Sequence, residues 1–437
     1  MNLFGNTLLV VAVGIASCAH PEEAPLPIGT TDEPQYLLFI PEHIGDVYTA
    51  SDPYTFIDGQ VDTLIGKVGT TGNGSHQLGL AIPMPPWVVD KEFPGKMQAV
   101  IQAAFEVAEK RNIAVYFSIM THYLWPTRSD LWNFYDPSLP GYNVNNKNNV
   151  EWIDWDGTPL TTRDGKSYRY YMGSGVPERL APHMCYNSPA ILSEVTRLSK
   201  IIAGAIQAGI NNLKNQSKEQ LFAGVTVGDE PQLDNYAAIT EAGLQPLVDM
   251  MNQDGAPLAT MGYCALTYAG YSKNNPPQDL AAALANVNKE FMAFWAKELG
   301  INGVPQAKMY NHVPAGAGQV GSPALAYTNA PIEIAFNDYS RPGWTTYAVG
   351  PLKDNFNILY QALEERGITH WGGTEANPYG LSGIPIDPYE YLRWHYDHGA
   401  TVVVMNSGAA PALEATLEEG MWNAEAVKAY KRFLNSQ

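Results

Sequence analysis

Phe222-Ala-Gly-Val-Thr-Val-Gly-Asp-Glu-Pro231 is an apolar, β-branched run that stops abruptly at a carboxylate pair and a proline. It reads as a strand, ended by a residue that has no backbone donor to continue a ladder. A second run of the same kind stands at Thr369-His-Trp-Gly-Gly-Thr-Glu-Ala-Asn-Pro378, where Glu375 follows strand-like residues. Strands that carry carboxylates to their C-terminal tips are how a (β/α)8 barrel presents acid–base chemistry.

The rest of the chain fits that arrangement. Strand-like runs begin near Tyr36, Gln77, Ile113, Phe222, Leu258, Ala307, Ile332, Ile368 and Thr401. Amphipathic helical patterns fall between them, at 56–68, 96–110, 190–213, 244–251, 279–299, 355–366, 389–396 and 424–434. Strands alternating with helices predict a parallel α/β fold. No helical pattern separates the Ala307 and Ile332 runs, so they share one unit and eight units remain. On that count Glu230 ends the fourth strand, Met309-Tyr-Asn-His312 the sixth and Glu375 the seventh.

The expected fold is therefore an α/β (β/α)8 TIM barrel with a long aromatic-rich insertion after the third strand. That insertion runs from Thr121 to Asn187 and holds Trp125, Trp132, Tyr135, Tyr142, Trp152, Trp155, Tyr168, Tyr170 and Tyr171. A loop so long is usually functional, and here it is expected to wall a cleft. The alternative is a satellite apolar cluster packed on the barrel.

Composition narrows the partners. The formal charge of −18 over 437 residues argues against nucleic acid and anionic membrane surfaces. Twenty-five Tyr and 10 Trp exceed what a barrel core needs and suit the flat faces of sugar rings. Leu8 to Ala16 form a short apolar stretch of signal-peptide type, although Met1 to Asn6 carry no Lys or Arg. Ile15-Ala-Ser-Cys18 resembles the lipobox of bacterial lipoproteins, which implies lipidation at Cys18. The expected organisation is a signal at 1–17, a tether at 18–34 and a catalytic barrel at 35–437. The expected location is the bacterial periplasm or cell surface, with membrane contact only through the lipid anchor. Cys185 and Cys264 remain as a disulfide or as two buried thiols, and neither has ligand spacing for zinc. Asp154-x-Asp156-Gly157 is an incomplete calcium loop, so no metal is expected.

Two glutamates on two strand ends point to glycoside hydrolysis. One carboxyl protonates the leaving oxygen and the other attacks the anomeric carbon. Glu230 suits the acid, because Asp229 beside it and the apolar strand before it should both raise its pKa. Glu375 suits the nucleophile. Trp371 and Asn377 flank it, and His122, Trp125, Asn311, His312, Asn337 and Arg341 are further candidates for contact with a sugar. No cofactor is required, since two carboxyls and a water suffice.

A strand-four glutamate followed by a strand-seven glutamate resembles the clan A (β/α)8 glycosidases. The clan's strand-four motif is usually Asn-Glu-Pro, and this chain reads Asp229-Glu230-Pro231. Met184-Cys-Tyr-Asn-Ser-Pro189 is similar to the Cys-x-Asn-Ser-Pro segment that opens the third helix in barrel β-galactosidases of that clan. The resemblance implies Glu230 as acid/base, Glu375 as nucleophile and Tyr310 as the tyrosine that contacts the nucleophile. It assigns no family within the clan. The Asp at 229 opens a second reading, similar to hexosaminidases that use the substrate's own acetamido group, with Asp229 orienting it and Glu230 as the acid. A third reading is a non-catalytic glycan-binding lipoprotein on the same scaffold.

Overall fold

The computed structural model describes residues 33–122, 125–173, 176–314, 327–347, 352–379, 386–406 and 419–436. The proposed signal, most of the tether and Cys18 lie outside the described residues.

Among the described residues, eight strands form one parallel sheet that curls into a barrel. In chain order they are β1 (Gln35–Phe39), β2 (His76–Met84), β3 (Ala114–Ile119), β6 (Phe222–Gly228), β7 (Met309–His312), β8 (Gly343–Tyr347), β9 (Trp371–Asn377) and β10 (Ala400–Met405). The sheet order is β7-β6-β3-β2-β1-β10-β9-β8. The remaining two strands, β4 (Arg169–Gly173) and β5 (Val176–Leu180), pair antiparallel in the insertion. Its two ends meet: Asn311 N donates to Arg341 O at 2.9 Å, Val313 N to Gly343 O at 3.2 Å and Thr345 N to Val313 O at 3.0 Å. Gly343 permits this seam, because a Cβ there would lie 2.2 Å from Asn311 O.

The helices form where the sequence predicted them, among them Pro53–Val68, Lys96–Arg111, Pro189–Asn215, Leu280–Ile301 and Ala424–Leu434. Their apolar faces and the outward side chains of the strands make the main core. Inside the barrel a smaller cluster alternates large and small residues: Tyr36, Tyr116 and Tyr310 against Ala81, Ala114 and Ala223, with Leu38, Val402 and Val404. That alternation fills a closed barrel without a pore.

Three strand expectations change. Leu258 lies in an irregular stretch, where the preceding Pro257 removes a ladder donor. Ile332 opens a 3-10 turn, Ile332–Ala335, whose backbone accepts the Trp344 indole N–H at 3.1 Å. The true sixth barrel strand is β8, and β7 is therefore the fifth. The two errors offset each other, so Glu230 still follows the fourth strand and Glu375 still lies on the seventh.

The insertion packs against the excursion that follows β6. Tyr170 and Leu160 join Tyr236, Leu247, Met251 and Tyr327 in a second apolar cluster. Two ion pairs pin it, Arg169 to Asp234 at 2.9 Å in full burial and Arg179 to Asp254 at 2.6 Å nearer the surface. Trp132 is buried, stacks on Tyr135 and donates to Trp125 O. Much of the aromatic content is thus core: Trp125, Trp132, Tyr135, Trp152 and Trp155 join the main cluster, and Tyr168 and Tyr170 the second.

Cys185 and Cys264 are buried free thiols. They adjoin Glu151, which is 1% exposed and accepts from Ala265 N at 3.3 Å. Burial pushes the Glu151 carboxyl up to about 8. Its unfolded value is about 4.3, so its neutral form stabilises the fold fully below that pH, and the contribution is lost as pH rises to about 8. Glu151→Gln should therefore flatten the fall in melting temperature between pH 4.5 and 8, recovering on the order of a few kcal/mol at the alkaline end. Parallel melting curves of equal pH dependence would rule out this role for Glu151.

Candidate active site

Every group of the site comes from the C-terminal end of a barrel strand, the end where barrels carry chemistry. Glu230 follows β6, His312 ends β7, Thr345 and Tyr347 lie on β8, Glu375 is on β9 and Asn406 follows β10. His312 sits between the two glutamates. Its Nε2 is 3.2 Å from Glu375 Oε2 and 3.8 Å from Glu230 Oε1. One oxygen of each carboxylate and an imidazole nitrogen all lie within 4.8 Å of one another.

The surroundings treat the two carboxylates differently. Tyr347 Oη and Asn406 Nδ2 each donate to Glu375 Oε1 at 2.7 Å. Burial alone would raise Glu375, but the hydrogen bond and charge of His312, with Tyr347 and Asn406, outweigh it and hold the carboxyl low. Glu230 receives one donor, Thr345 Oγ1 at 2.5 Å. Burial and the negative charge of Glu375 push Glu230 up, against the pull of His312. Asp229, expected to supply that repulsion, is replaced in the role by Glu375. Burial opposes the charge on His312, yet the two glutamates push its imidazole up to about 9.

Two backbone features aim the carboxylates. On β9, Gly373 pairs with both Val403 and Trp344, while the next partners are Ala376 with Met405 and Glu375 with Thr345. β9 therefore holds one more residue than its neighbours, a bulge at Thr374–Glu375. A Cβ on Gly372 would meet Tyr310 and Val402 inside the barrel, and one on Gly373 would meet His395 outside. Strict alternation would send Glu375 outward with Gly373, and the bulge turns it into the mouth. Glu230 adopts φ 53°, a left-handed backbone for a residue that also precedes Pro231. Strain of this sort costs of order 1–3 kcal/mol and collects at functional sites.

Of the expected sugar contacts, His312 lies in this cluster. Asp229 is half-buried and its charge reaches His312 and Tyr171. The others belong elsewhere. Tyr310 shares the inward face with His312 but sits two residues deeper, roughly 6–7 Å down the strand, and its hydroxyl pairs with Thr401 and Arg341. The tyrosine on Glu375 is Tyr347. Asn311 faces outward and bonds Ala335 O and Ser340 Oγ. Trp371 is buried at the start of β9 among Trp344, Tyr360 and His395, away from any cleft. Trp125 is buried against Trp87, with its N–H on Pro182 O. His122 is 1% exposed and packs edge-on to Tyr186. Asn377 braces the site from behind, donating to Asn406 O at 3.0 Å.

Arg341 and Asn337 precede β8, so they lie at the opposite mouth. There Arg341 and Lys308 both bind the Glu33 carboxylate at 2.9 Å. Conserved chemistry is not expected at that end of a barrel, which serves stability. Asn337 closes a turn by accepting from Tyr339 N and Ser340 N.

Sequence reading missed Thr345, Tyr347 and Asn406. The run Gly343-Trp-Thr-Thr-Tyr347 is β-branched and aromatic, and counting it as a strand would have exposed two of them. Asn406 ends the apolar run Ala400-Thr-Val-Val-Val-Met405 just as Glu230 ends its own. Tyr171 from the insertion and Tyr327 both lie close enough to feel the charge of Glu230. The guanidinium of Arg169 stands 5.3 Å over the Tyr171 ring.

No protein-family model matches the chain, and no curated protein matches it. Solved structures similar to it include a Cellulomonas fimi endo-β-1,4-mannanase double mutant, 10% identical over 92% of this chain and 70% of that one, with TM-score 0.39. Another is the catalytic domain of a Bacillus sp. JAMB-750 endo-β-1,4-mannanase, 12% identical over 92% and 85%, with TM-score 0.38. A third is xylanase B from Clostridium stercorarium F9, 10% identical over 86% of each chain, with TM-score 0.31. At such identity and overlap these likenesses carry no argument about activity, which must come from the site itself.

Proposed function

We propose that the chain is a retaining glycoside hydrolase acting on a poly- or oligosaccharide, with Glu230 as acid/base and Glu375 as nucleophile. The observation that carries this reading is the spacing of the two carboxylates, whose nearest oxygens are within 4.8 Å across the barrel mouth. Retaining pairs stand about 5–5.5 Å apart, whereas inverting pairs need about 6.5–9.5 Å to admit a water.

In the first step a Glu375 oxygen attacks the anomeric carbon as the glycosidic C–O bond breaks. Glu230 delivers its proton to the departing oxygen. In the second, Glu230 takes a proton from water, which displaces Glu375 and restores the original configuration. The unequal surroundings of the pair suit these roles, since the donors on Glu375 favour its anion and burial favours the Glu230 acid. His312 pulls both carboxyls down, and the extra donors on Glu375 keep the two apart in pKa. Tyr171, half-buried beside Glu230, provides aromatic surface for a sugar ring.

The substrate-assisted reading through Asp229 and Glu230 gives Glu375 no chemical task. The donors gathered on Glu375 weigh against it, and the facing carboxylates weigh against a pure binder. The deciding experiment is proton NMR of the first product formed from an aryl glycoside that the enzyme accepts. The same anomer as the substrate is expected, and the opposite anomer would refute double displacement.

His312→Gln gives a second test. Losing the imidazolium raises Glu375, which moves the acid limb of the kcat/KM profile upward. It also raises Glu230, so the alkaline limb moves the same way. The whole bell should shift alkaline by roughly one unit. An unmoved profile would remove His312 from this role.

A further inference from the structure

We propose that Glu230, His312 and Glu375 also form a binding site for a tetrahedral transition-metal dication of the zinc class, and that its occupancy shuts the hydrolytic site. The donor set is one imidazole nitrogen and two carboxylate oxygens, drawn from three strand ends. A tetrahedral ion with ligands near 2.0–2.2 Å requires donor separations of about 3.3–3.6 Å. Two edges of that triangle already stand at 3.2 and 3.8 Å. The third, between the carboxylates, is at most 4.8 Å and closes with a shift of roughly one ångström.

Thr345 Oγ1, which donates to Glu230 Oε1 at 2.5 Å and lies 2.9 Å from His312 Nε2, must turn aside for the ion, while the bonds on Glu375 leave its ligating oxygen available. Tyr347 and Asn406 hold Glu375 by Oε1, which directs Oε2 at His312. Hydrogen bonds of this type to the other carboxylate oxygen orient a ligand. Three protein ligands leave a fourth position for water, as in open zinc sites. A nitrogen among so few ligands suits zinc over magnesium or calcium, which take six or more oxygens. His312 Nδ1 is buried without a hydrogen-bond partner among the described residues. The ring thus lacks the usual outer anchor, which costs about 10–100-fold in affinity and places the expected Kd near micromolar.

Binding would consume both functional groups. The ion displaces the Glu230 proton needed by the leaving oxygen and the His312 Nε2 proton, both of which pass to solvent, and it occupies the Glu375 lone pair needed for attack. The binding half of the inference is independent of the hydrolase reading; the blocking half rests on it.

The test is titration calorimetry of the full chain with zinc chloride, with magnesium chloride in parallel. One zinc per chain at micromolar Kd is expected, with no magnesium binding, and His312→Gln should weaken zinc at least tenfold. The visible bands of tetrahedral cobalt(II) on the parent protein give a readout that needs no variant. Absence of both saturable zinc binding and these bands overturns the site, as does undiminished zinc binding by a folded His312→Gln protein. Zinc should also inhibit turnover over the same concentration range, with a chelator restoring it. Binding without inhibition overturns the blocking half. Binding by a protein that hydrolyses no glycan upholds the site and defeats the hydrolase reading instead.

Discussion

Glu375→Ala is expected to lower kcat by on the order of 10⁵–10⁶-fold, the scale of losing the nucleophile from groups that act as a unit. The effect is large because none of the described neighbours can take over. Tyr347 and Asn406, each 2.7 Å from Glu375, act as donors. His312, at 3.2 Å, is a donor held cationic by the same two glutamates. The alanine leaves a gap lined by Tyr347 and Asn406, which a small anion can enter. Added azide should therefore restore turnover of an activated aryl glycoside and release a glycosyl azide of inverted configuration. The variant should melt within a few degrees of the parent, since Glu375 sits at the mouth and is 19% exposed. A folded Glu375→Ala enzyme that keeps more than a tenth of parental kcat would sink the assignment.

Glu230→Gln should cost about 10²–10⁴-fold, the usual worth of a positioned general acid. The loss depends on the leaving group. An alkyl or sugar leaving oxygen needs the proton, so the full penalty is expected there. A dinitrophenolate leaves without one, so its bond cleavage should be nearly unaffected and the glycosyl-enzyme should accumulate. The alkaline limb of the pH profile, which reports deprotonation of Glu230, should disappear with it. Equal losses on good and poor leaving groups would show that Glu230 only binds or supports. Some gain in stability is also expected above the raised pKa of Glu230, where the parent carries a second negative charge beside Glu375 and the Gln variant does not.

The expected alternation of strands and helices proved legible because it rests on periodicity, which is local. Apolar faces repeat along each helix, and β-branched runs end in turn residues. Thus Ala424–Leu434 and Lys96–Arg111 form within a residue of where their patterns stand. Pro257 and the four-residue strand Met309–His312 mark where that reading weakened. A strand of four residues carries little pattern, and an apolar run beside a proline carries a misleading one. Whether the aromatic insertion walls a cleft was not legible for a similar reason. Aromatic content indicates burial as readily as exposure, and Trp125, Trp132 and Trp371 fill cores.

Residue pattern was enough for the barrel, the two strand ends that bear glutamates, and the chemical kinds of group available at each. Tertiary structure alone decided which of those groups meet. Whether His312 or Asn311 reaches the mouth depends on the parity of β7 within the closed sheet. Glu375 enters the mouth because β9 carries one extra residue locally, between Gly373 and Ala376, against both neighbours. Arg341 lies at the far mouth because it precedes its strand instead of following it. Each of these is a matter of register between segments distant in the chain, and a one-residue slip turns every later side chain to the opposite face. Local pattern cannot encode that choice, because it is settled by pairing and closure across the whole barrel.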